Sequence, residues 1–212
     1  MAKDLLKVST GLRGKMAGMT VITSACTTNP HCEKLAQIKG SICEHCYAQR
    51  ALSYMKGPRE AYVKNGELLS SGIIPTRELP FINATYCRLE SHGDIINETH
   101  LENYMRICRH NPQTIFVLWT KMYDLVYNYF KNHKAPKNFV LIVSSLKVNQ
   151  SMGEMLTRFK ELGLKRVKLF TVYNKPYLAE HPEVPIQCHG KNCLKCLRCY
   201  ASKEEIVNEI QK

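Results

Sequence analysis

The feature that most constrains the fold is an alternation of apolar runs and amphipathic helical patterns through the second half of the chain. Runs rich in β-branched and aromatic residues occupy 115–119, 139–143 and 167–172, and helical patterns occupy 122–133 and 151–162 between them. The central runs are apolar on both faces, as strands of a parallel sheet covered by helices are. A strand–helix–strand order requires right-handed crossovers, so this half of the chain predicts a parallel α/β sheet.

The first half adds two predicted strands, at 19–25 and 80–86, and one predicted helix at 99–108. Thr99 and Glu102 have the spacing of a capping box, as do Ser151 and Glu154 at the start of the last helix, which Gly163 ends. Five strands are too few for a closed eight-stranded barrel. The predicted fold class is therefore α/β, as a partial (β/α) barrel or an open parallel sheet, with a cysteine-rich N-terminal loop and C-terminal tail.

The length of 212 residues and a hydrophobic content of 44% fit one main core. We predict an α/β domain over residues 1–180, with a cysteine loop at 26–46, and a cysteine-rich segment over 181–212 packed on the same domain. No apolar run reaches the roughly 18 residues that a membrane span requires, and the N-terminus lacks the apolar run of a signal peptide. A cytoplasmic location without a membrane partner is therefore expected.

Ten cysteines and a net charge of +12 are the two unusual features of the composition. Disulfides do not persist in a reducing cytoplasm, so clustered cysteines there indicate metal or redox chemistry. The excess of lysine and arginine favours an anionic partner, either a small-molecule substrate or a nucleic acid.

Eight of the cysteines form two sets at opposite ends of the chain. The N-terminal set is Cys26, Cys32, Cys43 and Cys46, and the C-terminal set is Cys188, Cys193, Cys196 and Cys199. Both sets end in the same string, C-x-x-C-Y-A, which suggests one local task performed twice. All eight are candidate metal ligands, and we expect the two sets to meet near the carboxyl edge of the sheet.

The spacing of the C-terminal set favours an iron–sulfur cluster over zinc. Successive C-x-x-C steps wrap a bulky cube whose irons present separate corners, whereas structural zinc usually takes two pairs separated by a longer loop. One or two [4Fe–4S] clusters are the expected cofactor, with zinc as the alternative. Cys87 and Cys108 are predicted core residues, and His31, His45 and His189 neighbour the ligands without being assigned as such.

A second group of candidate site residues follows the predicted strands. Arg88, Glu90 and Asp94 follow the strand at 80–86, and Lys121 follows the strand at 115–119. Parallel α/β folds place their sites at this edge. These four residues are the candidates for positioning an anionic substrate beside the cluster.

Three features together resemble the bacteriophage gene product 88-like proteins. They are the C-x-x-C-Y-A-Q string, the Arg88…Gly93-Asp94 segment and the cysteine-dense tail. This resemblance implies location in the cytoplasm of a host cell. The first half also resembles, more distantly, the partial barrels of radical S-adenosylmethionine enzymes, which implies a [4Fe–4S] cluster near Cys43 and Cys46 and binding of S-adenosylmethionine. The chain departs from the radical signature C-x3-C-x-x-C, because Lys39 stands four residues before Cys43.

Two functions are consistent with these features. The first is an iron–sulfur enzyme of redox or radical type acting on an unknown substrate. The alternative is a basic nucleic-acid-binding protein in which zinc or a cluster is purely structural.

Overall fold

The computed structural model describes residues 6–11 and 13–211, and its framework is one sheet of seven strands in sequential order. The strands are β1 (Ser9–Thr10), β2 (Thr20–Ile22), β3 (Tyr86–Leu89), β4 (Ile115–Thr120), β5 (Phe139–Ser144), β6 (Val167–Tyr173) and β7 (Ile206–Ile210). The short β1 pairs antiparallel with β2, and every other neighbouring pair is parallel. The sheet is open, so the α/β prediction is confirmed in its open-sheet form.

Nine α-helices lie among the described residues. They are α1 (Pro30–Ala36), α2 (Tyr47–Tyr54), α3 (Lys56–Ser71), α4 (Glu98–His110), α5 (Tyr123–Asn132), α6 (Gly153–Glu161), α7 (Lys175–Glu180), α8 (Cys193–Cys196) and α9 (Arg198–Ala201). None of the described helices is long and apolar enough to cross a membrane.

Alternate residues of the central strands pack on opposite faces of the sheet. On β4, Phe116 and Leu118 belong to the main core, formed with apolar residues of α3, α4, α5 and α6. Val117 points to the other face, where a second core packs against α8 and α9. Both faces of the parallel sheet are therefore covered, which explains why its strands are apolar throughout. Cys87 and Cys108 are fully buried in the main core, as predicted.

The predicted strand at 80–86 is wrong over most of its length, because strand pairing begins only at Tyr86. The preceding backbone is held by side chains instead of by a neighbouring strand. Asn111 accepts from Ile82 N and donates to Pro80 O, and Thr114 Oγ1 donates to Ala84 O at 2.6 Å. These bonds satisfy the backbone polar groups, so the segment needs no hydrogen bonds to a neighbouring strand.

Both predicted capping boxes are also wrong. Helix α4 begins earlier than expected, and the side chain of its N-cap residue Asn97 accepts from His100 N at 2.9 Å. Helix α6 begins after Met152, whose side chain makes no capping hydrogen bond. Gly163 does end α6, with a φ of +83° that favours glycine.

The remaining differences are elements that the sequence patterns did not predict. Helices α1, α2 and α3 fill the interval between β2 and β3, and β7 adds a parallel strand within the segment that was described only as cysteine-rich. The C-terminal segment therefore takes part in the sheet itself.

Candidate metal centres

The N-terminal cysteines gather beyond the carboxyl ends of β2, β3 and β4. Cys26 lies four residues after the end of β2, in a 3₁₀ turn, and its backbone N–H donates to His92 O at 2.8 Å. Cys32 lies on α1, and Cys46 is the N-cap residue of α2. Cys26, Cys32 and Cys46 pack in one small apolar cluster with Ala48 and Leu52.

These four thiols are close enough to shift one another's pKa. The thiol of Cys26 hydrogen-bonds the sulfur of Cys46, which raises the pKa of Cys26 and lowers the pKa of Cys46 to about 6. Backbone N–H groups at the start of α2 also stabilise the Cys46 thiolate. Burial raises the pKa of Cys32 and of Cys43. The negative charge of a neighbouring cysteine raises each of these two pKa values further.

Glu90 is a structural residue of this edge. It is buried, and its carboxylate accepts from Ser24 Oγ at 3.0 Å and from Tyr104 Oη at 2.5 Å, while His100 Nε2 lies 3.2 Å away. Burial by itself raises the pKa of the Glu90 carboxyl. The hydrogen bonds from His100, Tyr104 and Ser24, together with the charge of His100, outweigh burial and hold that pKa below its usual range.

The backbone at Glu90 is strained, because φ is +58° in a residue that is not glycine. Such a conformation costs of order 1–3 kcal/mol and persists only where the surroundings impose it. Here Ser91 N and His92 N donate to Thr23 Oγ1 at 3.1 and 3.0 Å. The segment after β3 is therefore fixed against the end of β2.

Asp94 connects β3 to β4 at the same edge. Its carboxylate accepts from Thr120 Oγ1 at 2.6 Å and from Lys121 N at 2.8 Å. Burial raises the pKa of Asp94 to about 6, against the opposing effect of these hydrogen bonds. The positive charge of Lys121 opposes the rise that burial causes in the pKa of Cys43, and it adds to burial in lowering the pKa of His31. Asp94 and Lys121 are thus brought beside the N-terminal cysteines.

Arg88 is directed to the other face of the sheet. Its guanidinium carbon lies 4.1 Å from the centre of the Trp119 ring, and its Nε donates to Glu90 O at 3.2 Å. Burial raises the pKa of Cys193 and Cys199, and the positive charge of Arg88 opposes that rise. The four residues predicted as one catalytic group are therefore divided, with Arg88 beside the C-terminal cysteines and the other three beside the N-terminal ones.

The C-terminal cysteines line a single cavity of about 430 Å³, to which all four contribute: Cys188, Cys193, Cys196 and Cys199. None of the N-terminal cysteines lines this cavity. The two sets also belong to different apolar clusters. Contrary to the expectation that the two sets meet, the structure gives each its own surroundings.

Two basic residues on the sheet hold the C-terminal segment in place. Lys168 is buried, and its Nζ donates to the carbonyl oxygens of Arg198, Ser202 and Glu204 at 3.1, 2.8 and 2.5 Å. Arg166 donates to Tyr200 O at 2.9 Å. Sequence reasoning missed both residues. The available signal was a lysine inside an otherwise apolar strand.

Tyr200 completes this packing. It is fully buried, with its ring 5.6 Å from Trp119 and 5.8 Å from Tyr86, centre to centre. Its counterpart in the other C-x-x-C-Y-A string, Tyr47, is 58% exposed and donates its hydroxyl proton to Ser91 O. The tyrosine of the repeated string is therefore buried at one occurrence and exposed at the other.

The donor chemistry of both sets suits a thiolate-bound metal group. All ten cysteines are free thiols. Among the described residues, no group of three or more His, Cys, Asp or Glu side chains is arranged around a point where it could hold a single metal ion. The C-terminal thiols instead line one cavity, and cysteine thiolates are the ligands that iron–sulfur clusters take in proteins.

An open, mostly parallel α/β sheet with one cysteine set beyond the carboxyl ends of its strands and the other packed on one of its faces defines the class of this protein. The family described as Gene product 88 matches residues 11–202, and the chain belongs to that family. This confirms the first resemblance, whereas the comparisons give no support to similarity with radical S-adenosylmethionine enzymes. No curated protein and no solved structure matches the chain.

Proposed function

We propose that this protein is an iron–sulfur enzyme with two separate [4Fe–4S] centres. One is held by the C-terminal set, Cys188, Cys193, Cys196 and Cys199, and the other by the N-terminal set, Cys26, Cys32, Cys43 and Cys46. The observation that carries the proposal is the cavity of about 430 Å³ lined by all four C-terminal cysteines.

The surroundings of that cavity favour a cluster over a lone zinc ion. Four thiolates around a [4Fe–4S] core leave a net negative charge, which basic neighbours stabilise. The cavity is lined by Lys191, Lys195 and Arg198. The positive charge of Arg88, on the sheet, favours the thiolate forms of Cys193 and Cys199. Successive short C-x-x-C steps, as in this segment, are also typical of iron–sulfur ligands, whereas structural zinc usually takes two pairs separated by a longer loop.

The two centres have different roles in this proposal. The C-terminal segment is anchored by Lys168 and Arg166 and packs on the apolar face of the sheet, which suits a centre that stores an electron or stabilises the fold. The N-terminal centre lies at the carboxyl edge of the strands, where parallel α/β proteins bind their substrates. When bound, a cluster there supplies an electron or an iron with an open coordination position.

The residues around the N-terminal centre define what a substrate meets. Lys121 supplies a positive charge beside Cys43 and Cys46, so it is the residue proposed to bind an anionic group. Asp94 positions Lys121 through the hydrogen bond to its backbone N–H. Glu90 maintains the strand ends and does not contact substrate, because its carboxylate is buried and fully occupied. No S-adenosylmethionine site is proposed, since only the unsupported resemblance indicates one.

Metal analysis of anaerobically purified protein tests this proposal. We expect a brown protein that contains iron and acid-labile sulfide. Cys196→Ser should lose about half of the iron, the share of the C-terminal centre, because Cys196 lines the cavity. Cys108→Ser is the matched control and should keep all of it, because Cys108 lies buried in the main core. A colourless protein with stoichiometric zinc and no sulfide after reconstitution would refute the proposal, as would equal iron loss in both variants.

A further inference from the structure

The outer face of α2 presents two tyrosine rings to solvent. Tyr47 is 58% exposed and Tyr54 is 79% exposed, and they are seven residues apart, so they lie on the same side of the helix. Ala48 and Leu52 face the opposite way and are buried. The other side of α2 is already packed against the protein. Large exposed aromatic rings on its outer face therefore indicate a surface that binds a partner.

Three exposed cations stand within a few residues of these tyrosines along the chain. Arg50 lies between the tyrosines on α2, and Lys56 and Arg59 lie in the first turn of α3; all three are exposed. That first turn contains no acidic residue. Cations near a helix N-terminus are repelled by the helix dipole, so this arrangement is unfavourable for the isolated chain and favourable for an anion placed there.

The surface also adjoins the N-terminal cysteine set. Cys46 directly precedes Tyr47, whose ring lies 6.0 Å from His92 in an edge-on arrangement. A long ligand that lies along α2 would therefore lead towards the carboxyl edge of the sheet.

We propose that the outer face of α2 and the first turn of α3 bind single-stranded nucleic acid. Exposed bases stack on tyrosine rings, while arginine and lysine side chains bind the backbone phosphates. Tyr47 and Tyr54 are about 10 Å apart along the helix axis, which corresponds to roughly three nucleotides stacked 3.4 Å apart. The net charge of +12 supplies the long-range attraction for such a polyanion. This inference concerns a partner and does not depend on which metal the cysteines hold.

Binding of a fluorescently labelled single-stranded DNA 20-mer, and of its RNA equivalent, tests the proposal by anisotropy. Tyr54→Ala should weaken binding about 5- to 150-fold, the range that corresponds to the 1–3 kcal/mol of one base–aromatic stack. Phe81→Ala is the matched control, because Phe81 is 73% exposed but precedes β3 and so lies at the amino edge of the sheet. Arg59→Ala should reduce the salt dependence of binding by about 0.7 in slope for one lost phosphate contact.

Three outcomes would overturn the proposal. The first is wild-type protein that does not bind either strand at low salt. The second is equal weakening by Tyr54→Ala and Phe81→Ala. The third is sedimentation in which Tyr54→Ala abolishes self-association while strand binding is unchanged, since the face would then bind a second copy of the chain. Iron content and far-ultraviolet circular dichroism of each variant separate loss of strand binding from loss of a centre or of the fold.

Discussion

Arg88 and Trp119 form a stacked pair on the sheet, with the guanidinium carbon 4.1 Å from the ring centre. The pair lies at the boundary between the two cysteine sets. Arg88 acts electrostatically on Cys193 and Cys199 on one side and hydrogen-bonds Glu90 O on the other. Trp119 in turn packs against Tyr200, the residue that follows Cys199. The sheet thus connects two cysteine sets that the chain places almost at its opposite ends.

Replacing Arg88 by Ala should lower the reduction potential of the C-terminal centre. A reduced cluster carries one more negative charge, and removing a nearby cation makes that charge less favourable. The measurement is a redox titration followed by electron paramagnetic resonance. Arg158→Ala is the control, because Arg158 makes an equivalent stack 4.3 Å above Tyr127, in a ring cluster that includes Phe159 of the main core. Equal potentials in the wild type and both variants would show that Arg88 has only a packing role.

Gly93→Ala should destabilise the protein by about 1–3 kcal/mol, the usual cost of overpacking. A Cβ at Gly93 would stand 2.8 Å from Glu90 Oε2 and nearer still to Ser24 Oγ. The added methyl group would therefore separate the segment after β3 from the end of β2. Chemical denaturation of holoprotein measures the change.

Gly153 provides the control for this substitution. A Cβ there would meet nothing within 4 Å, so Gly153→Ala should leave the free energy of unfolding unchanged or slightly higher. If both variants have wild-type stability, the close packing of Gly93 on Ser24 is not a constraint on the fold.

Lys168→Met should release the cysteine-rich segment from the sheet. The substitution keeps most of the apolar side chain but removes three charge-assisted hydrogen bonds to carbonyl oxygens, each of a kind worth about 1.5–3 kcal/mol. We expect faster proteolysis after residue 180 and partial loss of iron. Lys160→Met, at an exposed ion pair with Glu205, should change neither. Intact resistance to protease in Lys168→Met would contradict the anchoring role.

The strands of the second half were predictable because their apolar character follows from being covered on both faces. Residues 115–119, 139–143 and 167–172 matched β4, β5 and β6 to within one residue at each end. The strand at 80–86 failed because Asn111 and Thr114, distant in sequence, satisfy its backbone. Such long-range side-chain bonds leave no local periodic signal.

The candidate site was predictable in its residue types but not in its arrangement. The clustering of eight cysteines in two short segments, five of them in C-x-x-C steps, made them candidate ligands, since clustering and spacing are local properties. Which face of the sheet each set occupies depends on β7 and on Lys168, which hold the C-terminal segment through contacts made only in the folded chain. For the same reason, Arg88 and Asp94, six residues apart, could not be assigned to different sets from the sequence.

The central claim is that the two cysteine sets hold separate iron–sulfur centres, and iron analysis of two paired variants tests it most directly. Cys43→Ser/Cys46→Ser and Cys193→Ser/Cys196→Ser should each keep about half of the wild-type iron and sulfide, because removing thiolate ligands abolishes one centre. Circular dichroism would establish that both variants remain folded. If either folded variant loses all iron, the sets share one centre, and if either loses none, that set holds no cluster; both results would contradict the account.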